Sequence, residues 1–228
     1  MCGRYTITTP LEAIQRIFRV PERPNLGPRY NVAPTQSVPI VRRPPGGEPD
    51  ARQLTTLRWG LIPFWAKDAS IGNRLINARA DGVADKPAFR DSFARRRCLV
   101  VADGFYEWQK QGSKKQPFRI VLKSREPFGF AGLWSDWKAP EGERVESCTI
   151  VTTDANALVA PIHDRMPVIL DPADFDAWLD GDRETALSLL EPFDPAAMEA
   201  YPVDPRVGNV RNDDPGIIEP LPQQGSLL

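Results

Sequence analysis

Twenty-four prolines spread through 228 residues demand many ordered, irregular connections between short elements. What lies between them reads mostly as strand. Residues 37–43, 55–62, 98–102, 105–109, 118–123, 128–134 and 147–153 are apolar or alternating runs of strand length. Residues 44–50 read as an exposed turn, and a hairpin is expected around 111–115. Asp103-Gly104 interrupts otherwise continuous strand sequence, as a kink or bulge does. Helices are fewer. Thr9-Pro10-Leu11-Glu12 is a capping box with proline at the first helical position, predicting a helix to about Phe18. Asp85 caps a predicted helix over 85–95 with Phe89 and Phe93 on one face; Asp171-Pro172 opens another to Leu179, followed by one over 183–190. Neither internal repeat nor low-complexity linker divides the chain. The expected fold is one α+β domain over residues 1–228, with mixed, barrel-like twisted β-sheets flanked by short helices and a frayed tail at 221–228.

A hydrophobic content of 41% and a charged content of 26% fit a chain able to bury a substantial core. No apolar run approaches the ~18 residues of a spanning helix, and the start lacks a signal-peptide apolar region. A cytosolic protein is therefore expected, or a nuclear one in a eukaryote. Three cysteines, Cys2, Cys98 and Cys148, form neither a disulfide framework nor a metal-binding spacing. Cys98 and Cys148 lie in strand-like runs and read as buried small hydrophobes. One histidine, with no CxxC and no HExxH, speaks against a metal site, and no cofactor is implied. The net charge of −1 argues against a generic nucleic-acid binder. Its distribution is uneven, however: residues 1–120 hold 21 Lys/Arg against 10 Asp/Glu, and residues 121–228 hold 8 against 20. Two readings stand side by side: phosphate contacts from a basic first half, or two complementary halves packed together.

The chain opens Met1-Cys2-Gly3-Arg4. Initiator methionine is normally trimmed before a small residue, so the mature chain is expected to begin at Cys2. Such a terminus carries an α-amine, pKa about 7.7–8.0, beside a thiol, pKa about 8.5. One residue then offers a soft nucleophile and, next to it, a base or second nucleophile. With an aldehyde this aminothiol forms a Schiff base that closes to a thiazolidine. The bland alternative is a cysteine placed there by chance.

His163 lies between Pro161 and Pro167, in a fixed loop between two strands or a strand and a helix. It titrates near pH 6.5 and suits proton transfer, or else fills a structural role. Glu107 sits in Gly104-Phe105-Tyr106-Glu107-Trp108. Burial among the rings would raise its pKa and make it a general acid or base, whereas period-two alternation also fits a solvent-facing carboxylate. Asn77 and Arg79 share a strand face at two-residue spacing; the amide can orient a nucleophile and the guanidinium can clamp phosphate or carboxylate. Arg95-Arg96-Arg97 reads as a solvated run at a helix end.

Eight further segments join the opening Met1-Cys2-Gly3-Arg4-Tyr5: Tyr30-Asn31-Val32-Ala33-Pro34-Thr35, Trp59-Gly60-Leu61-Ile62-Pro63, Ile76-Asn77-Ala78-Arg79, Asp103-Gly104-Phe105-Tyr106-Glu107-Trp108, Gln116-Pro117-Phe118, Ala131-Gly132-Leu133-Trp134, Ile162-His163-Asp164-Arg165-Met166-Pro167 and Val207-Gly208-Asn209-Val210. In this order they resemble the SOS-response-associated peptidase family, whose domain shields abasic sites in single-stranded DNA. The resemblance implies that Cys2 is the linking residue, with Asn77, Glu107 and His163 around it. It implies that Arg4 and Arg79 hold DNA phosphates, and that the loops near Pro34 and Trp65 support or separate bases. Here Trp65-Ala66 and a longer insert at 67–74 stand where some relatives place two adjacent tryptophans. The implied partner is single-stranded DNA bearing abasic sites, near the nucleoid in a bacterium or in a eukaryotic nucleus, and a monomer suffices. Two other readings remain: an N-terminal-nucleophile amidohydrolase, for which no Asn-Gly-Asp oxyanion segment is present, and a DNA-binding module that does not need the thiol.

Overall fold

The computed structural model describes residues 2–48 and 50–222. In chain order the elements are β1 (Tyr5–Ile7), α1 (Leu11–Phe18), β2 (Arg29–Val32), β3 (Ser37–Arg42), β4 (Gln53–Trp59), a 3₁₀ turn (Ala69–Arg74), β5 (Asn77–Arg79), α2 (Arg90–Arg95), β6 (Arg97–Ala102), β7 (Gly104–Gln111), β8 (Lys114–Leu122), β9 (Phe128–Lys138), β10 (Arg144–Asp154), β11 (Arg165–Pro167), β12 (Ile169–Leu170), α3 (Phe175–Asp180), α4 (Arg183–Ser188) and β13 (Met198–Pro202). Two sheets organise them, giving the α+β architecture expected. One is antiparallel throughout, in the order β13-β8-β7-β1-β2. In the other, β10 pairs with β4, β4 with β3, β3 with β6, β6 with β9, and β9 again with β10, so five strands close on themselves. Only the β10–β4 contact in that ring is parallel, and closure leaves the ring without an edge. Closure needs long strands that change partner along their length. β10 pairs with β9 and β4 through its first half, then with β5 and β11 through its second.

Asp103 marks the point where the chain leaves the barrel as β6 and enters the second sheet as β7. The expected kink is therefore a change of sheet. Its carboxylate accepts from the backbone and hydroxyls of Thr8 and Thr9 and from the Thr6 hydroxyl, and Arg119 approaches at 3.5 Å. Only glycine fits next door, because a Cβ on Gly104 would lie 2.9 Å from both Arg119 Nε and Thr6 Oγ1. This network also corrects the capping box. Thr9 donates its hydroxyl to Asp103, and α1 starts behind Pro10 without a side-chain cap. The helix is nevertheless where expected, held by buried Ile14 and Phe18, the latter stacked on Phe175 at 5.1 Å.

Several expectations need adjusting. The helix predicted from Asp85 begins only at Arg90, because residues 80–89 run as successive turns around Pro87, which has no N–H to donate. Phe89 and Phe93 are still buried together. The loop at 21–36 contains β2, and β1 and β13 were not foreseen either. Cys98 and Cys148 are fully buried in β6 and β10 as expected. Four first-half arginines meet second-half acids: Arg16–Glu126 at 2.8 Å, Arg42–Glu146 at 2.6 Å, Arg43–Asp176 at 2.9 Å and Arg52–Asp176 at 2.7 Å. Part of the charge asymmetry is thus spent on packing. No helix among the described residues is long and apolar enough to cross a membrane. Leu221 donates its N–H to the Pro202 carbonyl; most of the expected frayed tail lies outside the described residues.

Candidate active site

Cys2 precedes β1, which lies antiparallel on β7 with Tyr5 opposite Phe105 and Thr6 opposite Gly104. Tyr106 extends the pairing by donating its N–H to the Arg4 carbonyl at 3.0 Å. Continuing that register brings Cys2-Gly3 alongside Glu107-Trp108. Cys2 is fully buried, and burial, followed by the nearby Glu107 carboxylate, pushes its thiol far above the ordinary range. The thiol therefore holds its proton until a base takes it.

Glu107 is 2% exposed, so the solvent-facing reading fails. Burial raises its carboxyl above the ordinary 4.5, against the opposing pull of His163 among others. The cover comes from the loop between β10 and β11. Gln109, on the same strand face, donates to the Pro161 carbonyl at 3.0 Å and draws that loop over β7. Asn156 shapes the loop by accepting the N–H groups of Leu158 and Val159 and donating to the Phe193 carbonyl. His163 stands at its end, as the flanking prolines suggested. Its Nδ1 lies 3.0 Å from the Arg165 amide nitrogen and 3.3 Å from the Arg165 carbonyl oxygen, so it can accept from the one or donate to the other. The Asp164 carboxylate, also 3.0 Å from Nδ1, is at hand for the charged ring.

Asn77 opens β5, in parallel register with Ile150 of β10; Arg79 aligns with Thr152. Neither the oxygen nor the nitrogen of the buried Asn77 amide has a hydrogen-bond partner, and the Thr152 hydroxyl on the same face has none. Such groups are costly to leave unmade in a native interior and have bonding capacity that a bound molecule can use. Thr152 was not foreseen from the sequence, where it is one threonine in an apolar strand. Arg79 is exposed and donates through Nε to Asp81 at 3.0 Å; Asp81 also meets Arg165, tying β5 to the histidine loop.

Arg4 is half-buried. Its guanidinium donates to Asn31 Oδ1 at 2.9 Å, to the Val207 carbonyl at 2.8 Å and to the Gly208 carbonyl at 3.2 Å. Asn31 completes the clasp by donating to the carbonyls of Val207, Asn209 and Asn212. These bonds join three of the sequence segments around one asparagine. Pro34 is half-buried in a turn where Thr35 takes a φ of +72° and donates its N–H to Trp59. Trp65 is 48% exposed beside Phe64 at 56%, with its indole donating to the Pro87 carbonyl at 3.2 Å. Glu107 thus lies within electrostatic reach of both Cys2 and His163, and Arg79 is joined through Asp81 to Arg165 beside the histidine, while Arg4 belongs to the Asn31 clasp, Pro34 to the turn beside Trp59 and Trp65 to a loop of its own.

A buried thiol, a carboxyl raised by burial and a histidine within that carboxyl's electrostatic reach are the kinds of group a nucleophilic site uses. Residues 1–210 match the profile of the SOS response associated peptidase (SRAP) family, and the chain belongs to that family. It is 43% identical to abasic site processing protein YoqW of Bacillus subtilis, over 96% of this chain and 99% of that one. It is 33% identical to abasic site processing protein HMCES of Rattus norvegicus, over 96% of this chain and 76% of that one. Among solved structures, a protein from Bacteroides thetaiotaomicron superposes with a TM-score of 0.84 at 30% identity, covering 96% of this chain and all of the other.

Proposed function

We propose that this chain processes abasic sites in single-stranded DNA by covalent capture through Cys2, once removal of Met1 frees its amine. The observation that carries this reading is the buried Cys2 thiol beside a carboxyl whose own pKa is raised by burial. The named relatives act on abasic sites, and an abasic site in its ring-opened form is an aldehyde. The Cys2 amine adds to the aldehyde carbon and water leaves, giving an imine. The thiol then loses its proton and its sulfur bonds to the same carbon, while the nitrogen gains a proton. The product is a thiazolidine, formed with net loss of one water. Two bonds to one carbon make it more persistent than an imine, which hydrolyses readily.

Within this scheme Glu107 accepts and returns the proton that the amine and thiol must shed. His163 promotes ring opening of the sugar and assists reversal. The unsatisfied Asn77 amide orients the opened sugar, Arg4 and Arg79 contact the DNA backbone, and Pro34 and Trp65 meet bases. A single copy of the chain suffices, acting wherever the DNA lies, in a nucleoid or a nucleus. The test is incubation with a single-stranded oligonucleotide bearing one abasic site, followed by denaturing electrophoresis and intact mass. The expected adduct weighs the protein without Met1 plus the strand, less one water. An adduct of undiminished yield and stability from Cys2→Ser would falsify the assignment, and strand binding that survives in Cys2→Ala with no adduct in the wild type would favour thiol-independent binding.

A further inference from the structure

The Asn77 amide poses a problem of placement. With neither Oδ1 nor Nδ2 bonded, nothing at its own tip fixes its direction. Its orientation rests on the backbone that carries it, and a misplacement of about 1 Å can cost on the order of 10²-fold in rate. Immediately before it, the Ile76 carbonyl accepts two hydrogen bonds. One is from the Ile150 N–H at 3.2 Å, which belongs to the sheet; the other is from the indole N–H of Trp59 at 2.9 Å.

Trp59 is fully buried and reaches the site's other parts as well. Its backbone N–H donates to the Gln36 carbonyl at 2.9 Å and its carbonyl accepts the Thr35 N–H at 2.8 Å, bracing the turn that holds Pro34. Its ring meets Tyr5 edge-on at 5.2 Å and 66°, on the short strand that follows Cys2. One side chain thus spans the strand behind the nucleophile and the carbonyl behind the amide. We infer that Trp59 is a positioning residue that sets the Asn77 amide relative to Cys2 through its bond to the Ile76 carbonyl. This rests on the proposed role of Asn77 in capture.

The molecule supplies its own control. Trp178 makes the same kind of bond, indole N–H to the Cys98 carbonyl at 2.9 Å, fully buried and packed edge-on against Phe93, away from every residue assigned to capture. The measurement is single-turnover capture of an abasic single strand by the full chain. Trp59→Phe keeps an aromatic ring against Tyr5 and removes the donor. It is expected to slow capture about tenfold, as loss of one buried hydrogen bond allows, with affinity for an undamaged strand unchanged. Trp178→Phe is expected to leave capture unchanged. In an Asn77→Ala background, Trp59→Phe should add no further slowing, because residues acting through one another are not additive. Full additivity, or equal slowing by Trp178→Phe, overturns the inference.

A second readout needs no DNA. The side-chain amide resonance of Asn77, assigned through Asn77→Ala, should shift in Trp59→Phe and stay put in Trp178→Phe. An unmoved resonance overturns the inference even if capture through Asn77 is itself disproved, so the two failures remain separable. Should Trp59→Phe not fold, placing a benzothienyl side chain at position 59 removes the donor while retaining the bicyclic shape, and the same outcomes apply.

Discussion

Two buried polar clusters lie at opposite ends of the contact between β1 and β7, and they are built on opposite principles. Around Asp103 every lone pair finds a donor: two backbone N–H groups, three hydroxyls and Arg119 converge on one carboxylate. Among the residues proposed for capture the bonding is incomplete. The Asn77 amide and the Thr152 hydroxyl are buried without partners, and Glu107 is a carboxyl that burial drives toward its neutral form. The Asp103 carboxylate is fully used, although Arg119 Nε beside it lacks a partner, and the network serves as a joint between sheets. An unsaturated cluster holds back bonding capacity at a cost in stability, which is reasonable only where a substrate is to use it.

The contrast predicts that the two carboxylates fail differently. Asp103→Ala should give the largest effect, about 3–5 kcal/mol of stability, since it strands Arg119 and a ring of donors without their acceptor. Thermal or denaturant unfolding measures it, and a loss below about 1 kcal/mol would mean the network is not the joint described. Glu107→Gln should do the reverse, slowing capture by about 10²-fold or more without lowering stability. If unfolding shows it to be as damaging as Asp103→Ala, the division between joint and site collapses.

A pH titration sharpens the comparison. Because the folded state raises the Glu107 pKa above 4.5, the native protein holds this proton more tightly than the unfolded chain does. Its contribution to stability is therefore complete below pH 4.5 and declines as pH rises through the elevated value. Glu107→Gln should remove that part of the decline, and identical pH–stability curves for the two proteins would count against the assignment. The smallest effect is expected at Arg79, whose ion pair with Asp81 is exposed on both sides. Arg79→Ala should change stability by less than about 0.5 kcal/mol. It should flatten the salt dependence of single-strand binding by about 0.7 in log–log slope. Equal slopes would leave Arg79 with its ion pair alone.

Much of the architecture was legible along the chain because strand-length apolar runs report burial directly: β3, β6, β9 and β10 all begin or run where alternation placed them. The strands that went unread share a cause. Tyr5–Ile7, Arg29–Val32 and Met198–Pro202 are three to five residues long, too short for a period to register, and exist through pairing with partners far along the chain. The capping box failed for a related reason. The Thr9 hydroxyl could have accepted an N–H from the first turn of α1, and it instead donates to a carboxylate 94 residues away.

The site divides in the same way. The sequence by itself determined which groups are present: a cysteine at position 2, one histidine between prolines, and a glutamate in an aromatic strand facing the same way as Gln109. It left open whether that glutamate faced water or the interior, and whether the Asn77 amide was satisfied. Those questions were decided only when Gln109 bound the Pro161 carbonyl, 52 residues on, and when β10 brought Thr152 beside Arg79. Residue type fixes what a group can donate or accept. Its pKa and its free bonding capacity depend on what surrounds it, and those surroundings are assembled from distant segments that only the folded chain brings together.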